Sequence, residues 1–142
     1  MDRLIEQRHP SLDLALELLE RVRLEAAERS LVLAMCVVDA AGHVVASQRM
    51  DGVALGAMRL AVGKAYTAAL WGTRTGDFSA STQPEGADWG WNTTDARIVV
   101  YAGGVPLLAD GELVGAVGAS GGTAEEDEAC VAAAVRAAGL DA

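Results

Sequence analysis

Between residues 103 and 122, two apolar runs flank one Asp-Gly pair, and a Gly-Gly pair lies at each end of the stretch. The runs cover residues 105–109 and 113–119, and Asp110-Gly111 lies between them. This arrangement favours a tight hairpin, because a type I′ turn needs positive φ at both central residues. Neither face of the second run is polar, so the pattern predicts a strand covered on both sides. Its glycines predict close approach by a helix, another backbone or a ligand.

Helical periodicity occurs in three other stretches. Ser11 can cap a helix over residues 11–29, where leucine and valine recur at helical spacing. Residues 55–71 predict a second helix, whose alanine-rich face suits close packing on a glycine-containing strand. The last helix is predicted over residues 123–139, and Thr123 and Glu126 have the spacing of a capping box.

Strand patterns complete the predicted architecture. A second hairpin is predicted from residues 31–38 and 44–48, which flank Asp39-Ala-Ala-Gly42, and a short strand is predicted at residues 98–101. With the first hairpin these segments make five strands. The order therefore predicts an α/β (α+β) fold, in which a five-stranded antiparallel sheet is packed with helices.

Residues 72–97 show no periodicity, and 26 residues is long for a connection inside a compact domain. Five of the six aromatic residues lie between Tyr66 and Trp91. Such a loop is typically functional or disordered, and its aromatic content argues against disorder. We interpret it as an ordered binding loop that covers a pocket or contacts another subunit.

Composition excludes several classes of protein. The 142 residues fit a single domain spanning 1–142, and no apolar run approaches the about 20 residues that cross a bilayer. The net charge of −9 argues against a nucleic-acid binder or an anionic-membrane binder. The first residues lack a signal-peptide core, so we expect a cytoplasmic protein. Cys36 and Cys130 are expected to be buried thiols, and no residue spacing indicates a metal site.

Basic residues concentrate in the segment between residues 43 and 76. This segment holds four of them and only one acid, Asp51; the four are Arg49, Arg59, Lys64 and Arg74. Folded into one site, they would suit an anionic small ligand. Alternatively, they are scattered solvated charges.

Lys64 is the single lysine of a chain that has ten arginines. A desolvated lysine can act as a base or form a Schiff base, whereas a guanidinium does neither readily. The alternative is a surface lysine left by codon bias. Arg49 and Asp51 lie at the end of a predicted strand, where they are either site residues or an exposed ion pair. His9 and His43 are candidates for iron ligation or proton transfer, or are solvated side chains.

Three motifs occur in the order found in a known family. The stretches VVDAAGHVVASQRMDG, GKAYTAALWGTRT and GGVPLLADGELVGAVGASGGTAEED resemble the GlcG/HbpS family, also called the haem-degrading domain family. The resemblance covers about residues 10–140. It implies a profilin-like sandwich that forms dimers or assemblies of dimers. Members of the family bind haem, act as haem or redox sensors, or form the C-terminal part of PduO-type proteins.

The resemblance also transfers individual positions. Glycines and Pro106 at matching positions mainly determine the fold, while we expect Arg49, Asp51, Lys64 and Thr67 to line a pocket. The segment 87–95 departs from the family pattern because it is unusually aromatic. The matching positions are Asp39, Gly42, Arg49, Asp51, Lys64, Thr67, Gly103, Gly104, Pro106, Gly111, Gly115, Gly118, Ser120, Gly121 and Asp127.

The first hypothesis is a homo-oligomeric protein that binds haem, or another planar anionic molecule, in a pocket near the 72–97 loop. Haem is the candidate cofactor, and neither a nucleic acid nor a membrane is an expected partner. The predicted ligand-binding residues are Arg49, Thr67, Trp71, Arg74, Trp89, Trp91, Gly103 and Gly104.

Two other hypotheses remain. The chain is alternatively a cofactor-free isomerase, lyase or cyclase acting on a small oxygenated metabolite, with Lys64 and Asp51 as catalytic residues. Lys64 would then be the base or the Schiff-base amine, and Asp88 or Asp95 further proton partners. The third hypothesis is a purely structural or interaction protein.

Overall fold

The computed structural model describes residues 3–142, which fold into three α-helices and four strands. Two short 3₁₀ turns, Thr75–Phe78 and Trp91–Thr93, interrupt the long loop between the second helix and the third strand. No helix within residues 3–142 has the length and apolar character needed to cross a membrane. The main elements are α1 (Leu12–Glu28), β1 (Ala34–Asp39), β2 (Val44–Arg49), α2 (Ala57–Trp71), β3 (Gly104–Ala109), β4 (Glu112–Ser120) and α3 (Ala124–Ala137).

The four strands form one antiparallel sheet in the order β2-β1-β4-β3. Both predicted hairpins are present as β1–β2 and β3–β4. Asp110 and Gly111 have φ values of 53° and 77°, so both central residues of the turn take the left-handed conformation that the Asp-Gly pair predicts. Caps also agree with the pattern: Ser11 caps α1, and Thr123 and Glu126 form the capping box of α3.

Helices cover both faces of the sheet. On one face α1 and α3 pack against Met35, Val37 and Val117 in the larger core. On the other face α2 packs its alanines against Cys36 and Val38. The mixed fold of helices on an antiparallel sheet is therefore confirmed. From Val114 onwards β4 is buried on both sides, as its apolar pattern predicts, and β1 is buried from Ala34 to Val38.

The prediction of a fifth strand at residues 98–101 is wrong. This segment runs along α2, and its backbone groups are bound by side chains and a turn. The Val99 N–H donates to the Thr67 hydroxyl at 3.0 Å, and the Val100 carbonyl accepts from the Ser79 hydroxyl at 2.9 Å. Residues 98–101 thus have the composition of a strand, but their backbone groups bond to side chains and a turn instead of to a neighbouring strand.

The 72–97 loop is a succession of turns whose aromatic side chains pack together. The Trp91 ring lies 4.9 Å from the Phe78 ring and 5.3 Å from the Trp71 ring. These contacts fasten the loop to the C-terminal end of α2. They agree with an ordered loop, while its binding role remains a prediction.

Candidate functional site

A groove of about 380 Å³ lies between the first half of α2 and residues 96–99. Its lining is mostly apolar, with two arginines. A volume of this size falls in the range of small-molecule sites, about 300–1,000 Å³. The lining residues are Met58, Arg59, Leu60, Val62, Gly63, Ala96, Arg97 and Val99.

Gly63 allows residues 96–99, which form the outer wall of the groove, to approach α2. A Cβ atom at this position would lie 2.6 Å from Val99 Cγ2 and 2.8 Å from the Arg97 carbonyl oxygen. One turn further along, the Thr67 hydroxyl donates to the Gly63 carbonyl at 2.8 Å and accepts from the Val99 N–H at 3.0 Å. The wall is therefore attached to the helix without a ligand, so the groove is pre-formed.

Tyr66, Asp95 and Arg97 form a charged network beside the groove. The Tyr66 hydroxyl donates to Asp95 Oδ2 at 2.5 Å, and the Arg97 guanidinium donates to both Asp95 oxygens at 3.1 Å. The Arg97 guanidinium and the Tyr66 hydroxyl hold the pKa of Asp95 well below its usual range. The hydrogen bond to the Asp95 carboxylate raises the pKa of Tyr66.

Arg49 and Asp51 lie together in a second, more polar cavity of about 510 Å³ between α1 and the end of β2. Both are exposed. On the α1 side of the cavity, Arg23 donates to Glu20 at 2.8 Å, so these two side chains neutralise each other's charge. The remaining lining residues are Gln48 and Met50.

Lys64 lies outside both cavities, in a buried ion pair. Its side chain is 1% exposed, and Nζ donates to Asp127 Oδ2 at 3.0 Å and to the Ala119 carbonyl at 2.9 Å. The other Asp127 oxygen accepts from the Gly122 N–H at 2.8 Å. The Tyr101 ring centroid is 5.4 Å from the ammonium. The pair thus connects α2 with the first turn of α3 across the end of β4.

Gly103 and Gly104 make room for this lysine. A Cβ atom on Gly103 would lie 2.6 Å from Lys64 Nζ, and Gly103 has a φ of 130° that favours glycine. A Cβ atom on Gly104 would lie 2.8 Å from the Lys64 carbonyl carbon. The backbone N–H of Gly104 donates to the Thr75 hydroxyl at 2.9 Å. In this structure both glycines pack against Lys64.

The tryptophans and Arg74 occupy yet another region. Trp71 is 55% exposed and Trp89 65% exposed, and neither they nor Trp91 belongs to the lining of the groove. Arg74 lies 3.7 Å from Glu128 in a half-buried ion pair. The predicted site residues are therefore distributed over several places and do not form one pocket.

The sequence suggested Arg59 as a residue for an anionic ligand and Asp95 as a proton partner of Lys64, whereas Arg97 was missed. A signal for the groove existed in the sequence: Met58 and Val62 are four residues apart, which places an apolar pair on one side of α2. The position of Arg97 depends on how residues 96–99 cross that helix, and no local pattern records this.

Comparison with known proteins identifies the family. The family model described as haem degrading protein HbpS-like matches residues 11–136. The chain belongs to the HbpS-like family. The resemblance to the GlcG/HbpS family is thereby confirmed. This HbpS-like chain is 34% identical over 114 residues to an uncharacterised 15.0 kDa protein from the dhaT-dhaS intergenic region of Citrobacter freundii, covering 80% of both chains.

Further relatives of the HbpS-like chain include a longer protein. The chain is 30% identical over 125 residues to corrinoid adenosyltransferase PduO of Citrobacter freundii, covering 84% of this chain but 37% of PduO. It therefore spans little more than a third of that enzyme.

Two solved structures of relatives resemble it over nearly their whole length. The ORFY protein of Klebsiella pneumoniae gives a TM-score of 0.93 at 26% identity, covering 98% of this chain and 97% of that one. The PduOC:Heme complex gives a TM-score of 0.84 at 30% identity, covering 87% and 91%. At least one relative of this HbpS-like chain is thus known with haem bound.

Replacing Lys64 with Met is expected to destabilise the protein by about 3–5 kcal/mol, because Asp127 is left as a buried, uncompensated charge. The double variant Lys64→Met/Asp127→Leu should recover part of this loss: it removes the buried charge, but the Gly122 N–H and the Ala119 carbonyl lose their side-chain partners. Urea unfolding followed by tryptophan fluorescence measures both values. Arg21→Met, which breaks the exposed Arg21–Glu17 pair on α1, is the control with little expected change. A similarly small loss in Lys64→Met would contradict a structural role for the buried pair.

Replacing Asp95 with Asn is expected to lower the pKa of Tyr66 towards the ordinary tyrosine value of about 10, because the carboxylate that favours the neutral phenol is removed. The folded state raises this pKa, so its stabilising contribution is present below the ordinary value and lost as pH rises through the folded-state value. Phenolate absorbance measures the titration. The Tyr101→Phe background leaves Tyr66 as the one tyrosine. An unchanged alkaline titration in Asp95→Asn would contradict the hydrogen bond.

Proposed function

We propose that this chain binds haem or another planar anionic organic molecule in the groove between α2 and residues 96–99. The observation that carries the proposal is the pre-formed apolar groove that holds Arg59 and Arg97. Apolar walls accommodate a ring system, and an arginine binds a carboxylate through charge-assisted hydrogen bonds. The groove adjoins the end of the 72–97 loop, where we expected a pocket.

Family membership supports haem as the first ligand to test. The PduOC:Heme complex is a haem-bound relative at 30% identity. When bound, haem supplies a redox-active iron. The apolar side chains of the groove would contact its macrocycle, and Arg59 would bind a carboxylate.

The groove offers one side chain for the iron. Among side chains that commonly ligate haem, the lining contains the thioether of Met58, while the Tyr66 hydroxyl is bonded to Asp95. His9 and His43 lie at the β1–β2 turn, where His9 accepts from the Ala40 N–H and His43 faces Asp39. We therefore propose Met58 as the side chain that would hold the iron.

The geometry of Lys64 gives the enzymatic alternative no support. Its amine is enclosed and bound by Asp127 and the Ala119 carbonyl, and it lines neither the groove nor the cavity beside Arg49. Ligand binding is accordingly the proposal. The homo-oligomer and the cytoplasmic location remain predictions; the exposed rings of Trp71 and Trp89 are candidate subunit contacts.

Haemin titration followed at the Soret band is the experiment. Arg59→Gln should weaken haemin binding about tenfold or more, because a charge-assisted hydrogen bond to a carboxylate is lost. Met58→Ala should shift the Soret band, whereas His43→Ala should leave it unchanged. Metal-free protoporphyrin IX should still bind, because the groove recognises ring and carboxylate.

Arg49→Gln is the matched control, since Arg49 is likewise an exposed arginine without an ion pair among residues 3–142 but lies in the other cavity. Its haemin affinity should equal that of the wild type. A loss in Arg49→Gln with none in Arg59→Gln would contradict the groove and place the ligand at the α1–β2 cavity.

A further inference from the structure

The guanidinium of Arg97 is held as a fixed plane. It stacks on Tyr66, with Cζ 4.1 Å from the ring centroid, and donates to both oxygens of Asp95 at 3.1 Å. The backbone N–H of Arg97 donates to the same carboxylate at 3.0 Å. Tyr66 in turn donates to Asp95, so each member of the network contacts the other two. An arginine so fixed loses little further side-chain entropy when a ligand binds.

One side of this plane remains open. Tyr66 covers one face, yet the Arg97 side chain is 66% exposed and belongs to the lining of the groove. Asp95 neutralises the charge of Arg97. The guanidinium therefore offers the groove a flat surface and not an unpaired positive charge. Guanidinium groups stack on aromatic rings, and this one already does so on its covered face.

Arg59 has the complementary character. It lines the same groove, is exposed, and makes no ion pair within the described residues 3–142. A ligand carboxylate therefore meets a free cation at Arg59, whereas at Arg97 it would compete with Asp95. The two arginines of the groove thus differ in function.

We infer that the open face of Arg97 is the stacking surface for a planar conjugated ring, whose single carboxylate is bound by Arg59. This inference rests on the proposed function and narrows its ligand class to a flat aromatic monocarboxylate, or to a macrocycle that presents one carboxylate to the groove. Asp95 and Tyr66 are positioning residues, which hold the guanidinium plane without contacting the ligand.

Calorimetric titration with 2-naphthoate and its saturated analogue decahydro-2-naphthoate tests the stacking surface. The wild type should bind the flat probe more tightly than the saturated one. Arg97→Lys keeps the charge and removes the plane, so it should weaken 2-naphthoate binding about fivefold and leave the saturated probe unchanged. Equal weakening of both probes, or of neither, would overturn the inference. Because Arg97 is largely exposed, the variant is expected to fold, and circular dichroism verifies this.

A neutral flat probe tests the positioning role of Asp95. Asp95→Asn should weaken binding of uncharged 2-naphthamide, because the guanidinium is no longer held in place. If Asp95 acted only as an anion that competes with a ligand carboxylate, the neutral probe would bind unchanged and 2-naphthoate more tightly, which would overturn the positioning role. Tyr66→Phe keeps the stacked ring and should weaken 2-naphthamide less than Asp95→Asn does.

The two proposals fail in different ways. Haemin binding that depends on Arg59, together with no preference between flat and saturated probes, would overturn the stacking surface and leave the proposed function intact. Failure of the wild type to bind 2-naphthoate would likewise overturn the inference. The haemin titration tests independently whether the groove is the ligand site. Haemin binding that is insensitive to Arg59 would overturn the proposed function itself.

Discussion

Helix α2 lies closer to both of its neighbours than ordinary side chains would permit, and the site geometry follows from that. Towards the sheet, a Cβ atom on Gly118 would lie 2.5 Å from the Ala65 backbone nitrogen. Towards solvent, Gly63 allows residues 97–99 to lie against the helix. Close-packed interiors tolerate no added carbon at such contacts without displacing the backbone. A helix of small residues between two close layers therefore determines where the groove can form.

The side chains that follow Gly63 in α2 secure these two approaches. Lys64 reaches past the end of β4 to Asp127, which joins the helix to the far layer through a buried charge pair. Tyr66 and Thr67 hold the outer segment through Asp95 and the Val99 N–H. The contacts of α2 with both neighbouring layers thus come from residues 64–67, about one turn of the helix. The groove is accordingly a consequence of how the fold is held together, and its arginines are attached to a rigid frame.

Local patterns predicted the elements whose causes are local. The Asp110-Gly111 turn, the Thr123 capping box and the alanine face of α2 were all readable, because each depends on residues near in sequence. Residues 98–101 were misread as a strand, since their partner is a hydroxyl of α2 and an apolar run alone does not record that. Lys64 was singled out by its rarity. Its ion pair with Asp127 spans 63 positions, so composition and spacing could not predict its burial.

A crystal structure of the protein with haemin bound tests the central claim, that the groove beside α2 is the ligand site. We expect the macrocycle between α2 and residues 96–99, with a carboxylate at Arg59 and a ring face against Arg97. Lys64 should still be paired with Asp127. Haemin in the α1–β2 cavity beside Arg49, or between the rings of the loop, with the groove empty, would contradict it.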